Sequence, residues 1–207
     1  MWWIIGAVAL MGVAAAGPIA SDVEQAPYQV IAKHDSVELR EYAPVIVAET
    51  DVKGPREEAI REGFKRIADY IFGNNLSKQS IAMTAPVLQQ PSEKIAMTAP
   101  VLQEPTDKGW HVQFVMPTSY TMDTLPAPKN PDVHLRVLPA RHYAAITFSG
   151  IADAMLLQQQ TAALSEHLTT HQLKQTGAPV YAFYNPPWTL PFLRRNEVLI
   201  PIHPPKQ

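Results

Sequence analysis

The order strand, strand, helix, strand, strand occurs twice along this chain, which predicts an α+β fold: one antiparallel sheet with two helices on one side. Three observations carry that expectation. Two helical stripes, Ile60/Phe64/Ile67/Ile71 and Leu157/Thr161/Leu164/Leu168, are set among segments whose apolar residues alternate with a period of two. The 20 prolines, many paired or at element boundaries, favour short strands and turns over a helical bundle. A nine-residue phrase, Ile81 to Gln89 (IAMTAPVLQ), recurs unchanged as Ile95 to Gln103. At 207 residues and 46% hydrophobic content the chain can bury a substantial core.

Residues 1–20 carry no charge and read as a signal peptide or an N-terminal membrane anchor. Ile4 to Ala16 fits an apolar signal core, and Ala14-x-Ala16 fits a small-residue cleavage site. The uncharged run from Trp2 to Ala20 is also close to the ~20 residues that span a bilayer, so membrane attachment through residues 2–20 stays open. Either reading places the rest of the chain outside the cytoplasm, in a periplasmic or other extracytoplasmic space. Residues 21–27 form a polar linker, and 28–203 the globular domain.

Within that domain, segments 28–33, 37–42 and 45–51 read as strands joined by tight turns. Gly54-Pro55 opens the first helix, with Glu57 and Glu58 where the helix dipole favours negative charge, and Gly73-Asn74-Asn75 closes it. In the repeated phrase Ile81, Met83, Ala85 and Val87 share one face, and Pro86 or Pro100 imposes a bend because proline cannot donate to a ladder. A core strand with its tandem duplicate is the plain reading; a wall of small residues and a thioether beside a flat ligand is the sharper one. The second copy is expected to pair with Trp110 to Met116 and the first to extend or decorate that hairpin. After a proline-rich crossing, 117–131, the pattern restarts with strands 133–138 and 141–149, a helix over 152–174, and strands 180–184 and 197–202 around the aromatic loop 185–191. The halves share little sequence outside the phrase, yet a pseudo-twofold arrangement with a ligand cleft between them follows from the repeated order.

A net charge of −2 gives no electrostatic footprint for nucleic acid. The absence of cysteine excludes thiolate metal sites, iron–sulfur clusters and thiol nucleophiles. His167 and His171 are one helical turn apart, but no glutamate stands between them as in a metalloprotease, and a solvated face near a helix C-terminus explains them better. No nucleophile elbow, phosphate loop or dinucleotide fingerprint is present. Met, Tyr, Trp, Phe and a few arginines near a cleft suit a flat ring with anionic arms, such as a porphyrin. A plain core is equally consistent with that composition.

The phrase IAMTAPV with Lys94 before its second copy resembles the signature of the SOUL / heme-binding protein family. Val37 to Pro44 (VELREYAP), Phe114 to Pro117 (FVMP), Tyr184 to Trp188 (YNPPW) and Arg194 to Val198 (RRNEV) resemble the same family in the same order, over about 28–202. The resemblance implies a SOUL-like twisted antiparallel β-barrel of two pseudo-symmetric ββαββ halves flanked by two helices. It also implies non-catalytic binding of heme or another tetrapyrrole in an apolar cleft, for sequestration or carriage. The residues singled out to contact such a ring are Met83, Met97, Arg40, Tyr42, Phe64, Tyr143 and Trp188. Some family members carry histidine where this chain has Glu41, so the resemblance leaves the axial ligand open. The related GyrI-like fold implies the alternative, a small-molecule sensor or a hydrolase using Glu197 or Glu38 beside Tyr42, Tyr143 or Tyr184.

Overall fold

The structure is a computed structural model that describes residues 23–77 and 92–205. The apolar segment 1–20 and the first copy of the phrase, with Met83, lie outside the described residues. Nine strands build the main sheet: β1 (Tyr28–His34), β2 (Val37–Tyr42), β3 (Val45–Lys53), β4 (Val101–Thr106), β5 (Gly109–Val115), β6 (His134–Leu138), β7 (Arg141–Phe148), β8 (Val180–Phe183) and β9 (Asn196–Ile202). Helix α1 (Arg56–Ile71) follows β3, and α2 (Ala154–Thr170) follows β7.

The spatial order β6-β3-β5-β4-β8-β9-β7-β2-β1 is antiparallel throughout. Exchanging β2 with β6, β3 with β7, β4 with β8 and β5 with β9 reverses the first eight strands onto themselves. The pseudo-twofold therefore passes between β4 and β8, and β1 is an addition at one edge. The leading strand of each half pairs in the other: β2 lies against β7, and β6 against β3. Neither half can leave without opening a ladder of the other.

Both helices cover one face. α1 seals Ala48, Val112 and Phe114, and α2 seals Leu39, Ala144, Ile146, Val198 and Ile200. The line of contact along α1 differs from the expected stripe. Ala59, Gly63, Ile67 and Ile71 are buried, whereas Phe64 is 40% exposed at the rim of the interface. A methyl group on Gly63 would stand 2.7 Å from a methyl of Val112, so the helix approaches the sheet along its smallest residues and displaces the phenylalanine sideways. α2 keeps the expected Leu157, Leu164 and Leu168, starts after the Asp153 cap (2.8 Å to the Leu156 amide), and ends before 174 because Gln172 turns left-handed.

The second copy of the phrase does pair with the strand after it, Val101 opposite Phe114 and Thr106 opposite Gly109. Pro100 divides it, the Ala99–Pro100 peptide being cis, so that Thr98–Ala99 pairs instead with Glu24–Gln25. The shared face expected for Ile95, Met97, Ala99 and Val101 is broken by that division. Ile95 and Val101 join the α1 core, Ala99 packs on the opposite face with Tyr184 and Leu199, and Met97 is exposed.

Candidate functional site

The sheet face without helices is curled into a groove, and period-two alternation decides what points into it. From β2 come Glu38, Arg40 and Tyr42, because Val37 and Leu39 are committed to the α2 core. From β9 come Glu197, Leu199 and Pro201, for the same reason applied to Val198, Ile200 and Ile202. The two ends of this face differ in character.

Under the second half the groove is closed by a buried ionic cluster. The fully buried Glu197 carboxylate accepts from Arg40 Nη1 at 2.7 Å and Nη2 at 3.1 Å, from Arg195 Nη2 at 2.7 Å and Nε at 3.0 Å, from the Tyr184 hydroxyl at 2.8 Å and from Thr147 at 3.0 Å. Arg40 also donates to Glu38 and Tyr42 and lies over the Tyr28 ring, and Arg195 lies over Tyr184. Burial alone would raise the Glu197 pKa, but the two guanidinium groups hold it below the ordinary carboxylate range. Burial and the nearby Glu197 charge push Tyr42 up to about 12. Such a carboxylate, filled on both oxygens, is a structural counter-ion rather than a nucleophile or base.

Across the pseudo-twofold axis the groove stays open. A narrow apolar recess of about 40 Å³ is lined by Tyr42, Val45, Leu102, Val115, Leu138, Tyr143, Val180 and Leu199, with Pro100, Pro139 and Arg141 at its rim. It shares Leu102, Leu138, Arg141, Tyr143 and Val180 with a polar recess that adds Glu104, Gln113 and Arg136. Its own space is far below the ~300–1,000 Å³ of small-molecule sites, so a ligand of that size must also occupy the adjoining polar recess of about 250 Å³. The Tyr42 and Tyr143 rings meet edge to face at 5.5 Å. Among the described residues the Arg141 guanidinium has no ion-pair partner and the Tyr143 hydroxyl no hydrogen-bond partner. Arg136 is held on Glu49 at 2.9 and 3.0 Å, where Gln113 and His111 also converge, and His111 reaches Asp51 at 2.6 Å. Burial would raise Glu49, but Arg136 and Gln113 hold it below its ordinary value.

The residues singled out from the sequence are only partly gathered here. Tyr42 and Tyr143 line the recess, and Arg40 stands behind Tyr42 in the closed cluster. Phe64 lies on the helix side of the sheet against Phe114, with centroids 5.3 Å apart, and so cannot reach the groove. Trp188 projects from the 185–191 loop at 83% exposure, and Met97 precedes the Pro100 bend away from the recess lining. Glu41 faces the helix side, with His142 directly opposite on β7 and its Nε2 4.0 Å away. No group of three or more acidic or histidine side chains among the described residues is arranged to hold a metal ion. Sequence reading missed Arg141, Arg136, Glu49 and Arg195. A signal for Arg136 was present: Val37-Glu-Leu-Arg40 and Val133-His-Leu-Arg136 are matching phrases at the exchanged strands β2 and β6.

A curled antiparallel sheet with two helices on one face and an open groove on the other defines an α+β ligand-binding architecture. Solved structures share it: the EcmrR C-terminal domain (TM-score 0.56, 14% identity, 85% of this chain and 98% of that one) and a hydrolase from Listeria innocua (TM-score 0.54, 13% identity, 84% and 94%). At those identities the likeness is one of fold. No curated protein matches the chain. Residues 23–201 match the family described as SOUL heme-binding protein, and the chain belongs to that family.

Proposed function

We propose that the protein binds heme or a related tetrapyrrole along the open groove made by the apolar recess and the polar recess beside it, and sequesters or carries it without transforming it. The observation that supports this reading is an apolar slot beside two tyrosine rings that runs into a rim where Arg141 lacks a carboxylate partner. Heme, when bound, supplies a flat apolar ring, two carboxylates and an iron that accepts an axial donor. Leu102, Leu138, Val180 and Leu199 exclude water from the ring. Arg141, with Arg136 beyond it, neutralises carboxylates, and the Tyr143 hydroxyl is the uncommitted oxygen on the wall that could meet iron. Residues 1–20, as a signal or an anchor, put this activity outside the cytoplasm.

The test is a titration with ferric heme and with its metal-free porphyrin. Both are expected to saturate. Arg141→Ala weakens both by roughly tenfold, the size of one charge-assisted hydrogen bond. Tyr143→Phe weakens ferric heme alone and changes its absorption spectrum. A linear response that never saturates removes the proposal.

A second reading is a sensor of small amphiphiles. With Glu197 occupied by two arginines, such a sensor selects carboxylates over lipophilic cations. Competition by a lipophilic cation as strong as that by an anionic amphiphile would reject it.

A further inference from the structure

Segment 185–193, Asn-Pro-Pro-Trp-Thr-Leu-Pro-Phe-Leu, contains no charged residue yet lies on the surface. Trp188, Leu190 and Phe192 are each more than half exposed, and so are Ile151 and Met155 at the start of α2. The Gly150 amide donates to the Pro191 carbonyl at 2.8 Å, which joins the two segments into one patch. Surface residues of this size are ordinary when scattered, but five together are not.

The loop is also partly paired within itself. Arg194 donates from Nε to the Thr189 carbonyl at 2.8 Å and from Nη2 to the Pro187 carbonyl at 2.5 Å. The Thr189 amide donates to Pro186 and the Leu193 amide to Leu190, while Pro186, Pro187 and Pro191 bring no amide hydrogen at all. A loop with three prolines and these internal bonds leaves few amides that need water, and a tryptophan beside leucine and phenylalanine suits the headgroup boundary of a bilayer, where water is still at hand.

The position of the chain's start names the occupant. Arg195 joins the base of the loop to the segment around Gln25: its backbone amide donates to Asn185 Oδ1 at 2.7 Å and its Nη1 donates to Gln25 Oε1 at 3.1 Å. Gln25 lies only a few residues after the uncharged run 2–20. Val23 packs on the cluster containing Tyr184, the residue just before the loop. A domain tethered by residues 2–20 is thereby held with this patch next to the same membrane. We propose that Trp188, Leu190, Phe192, Ile151 and Met155 form a second, interfacial contact with the lipid bilayer. This inference rests on the reading of residues 2–20 as a membrane segment and is independent of what the groove binds.

The test uses the full chain reconstituted with phosphatidylcholine vesicles, with Trp2, Trp3 and Trp110 changed to Phe so that Trp188 is the lone indole. Its emission is expected to move to the blue on vesicles, to be quenched by acyl-chain-brominated lipid and to become shielded from iodide. The pair Leu190→Ser and Phe192→Ser, checked for an unchanged melting curve, should reverse all three effects. A chain that floats with the vesicles while Trp188 stays as open to iodide as in buffer leaves the tether standing and overturns the loop contact. A chain that does not float overturns both. Emission that is already blue-shifted without lipid, and indifferent to it, shows another protein surface on the patch and also overturns the proposal.

Discussion

The exchanged strands β2 and β6 each set an arginine against a glutamate on the same face of one sheet, Glu197 on β9 and Glu49 on β3, and obtain opposite results. Arg40 on β2 reaches Glu197 with 2% of its side chain exposed, and Arg195, Tyr184 and Tyr28 close over the pair. Arg136 on β6 reaches Glu49 with half of its side chain in solvent, and only His111 and Gln113 assist. The closed pair fills one end of the groove and makes it part of the core. The open pair leaves a polar end to a recess that a ligand can share. The two ends of the groove thus differ in how far each ion pair is buried, while the recess between them draws its lining from both halves.

The largest expected effect comes from breaking the closed pair. Arg40→Ala should cost about 3–5 kcal/mol because it leaves the Glu197 charge buried with its partners depleted. Arg136→Ala should cost no more than about 1 kcal/mol, as for an exposed pair. Urea unfolding of both variants measures the contrast, and equal losses would break it.

The helices give the next contrast. Gly63→Ala pushes a methyl into Val112 and should cost about 1–3 kcal/mol as overpacking. Thr161→Ala on α2, whose hydroxyl bonds only the Leu157 carbonyl of its own helix, should stay within about 0.5 kcal/mol. Thermal melts decide between these.

Acid should act in two separate windows. His167 on α2 is held below the ordinary imidazole value, chiefly by burial and then by His171 on the same helix and His34 on β1, while Asp35 in the turn opposes them. A base with a depressed folded pKa costs stability as pH falls from about 6.5, because the unfolded chain takes the proton first. Glu197 and Glu49 are depressed acids. Their contribution is intact above about pH 4.5 and is lost as pH falls through their folded values. His167→Leu should therefore flatten the urea midpoint between pH 7.5 and 5.5 without changing the loss below pH 4.5, and an unchanged upper window would contradict the assignment.

The smallest effect is expected from removing the duplication that only the first half carries. Deleting 78–91 retains every described contact of Asn75 with Glu93 (2.7 and 3.0 Å) and shortens one connection, so stability should change by no more than about 1 kcal/mol. A collapse of the melting transition would show that the first copy is needed in the fold.

Much of the architecture was legible because periodicity reports burial directly. The strand order of each half, the α2 stripe, the Asp153-side start of that helix and the pairing of the second phrase with Trp110 to Met116 all follow from local pattern. The α1 stripe was misread because Gly63 acts through the closeness it permits, which no hydrophobic spacing records. Phe64 and Trp188 were plausible ring contacts by residue type, but the side of the sheet and the loop on which they sit belong to topology. Arg141 was invisible as a site residue because nothing in its neighbours announces that it lacks a partner.

The sequence by itself determined the family, the two-half plan, the bend at Pro100 and the absence of thiol chemistry, since each depends on residue identity at short range. Only the tertiary structure decided that Glu197 is a sealed counter-ion, that the open recess lies beside Tyr143 and Arg141, and that the base of the apolar loop lies beside Val23 and Gln25. Those outcomes depend on which strands the exchange of β2 and β6 brings together, over separations such as the 87 residues between Glu49 and Arg136 and the 157 between Arg40 and Glu197, where local pattern carries no information.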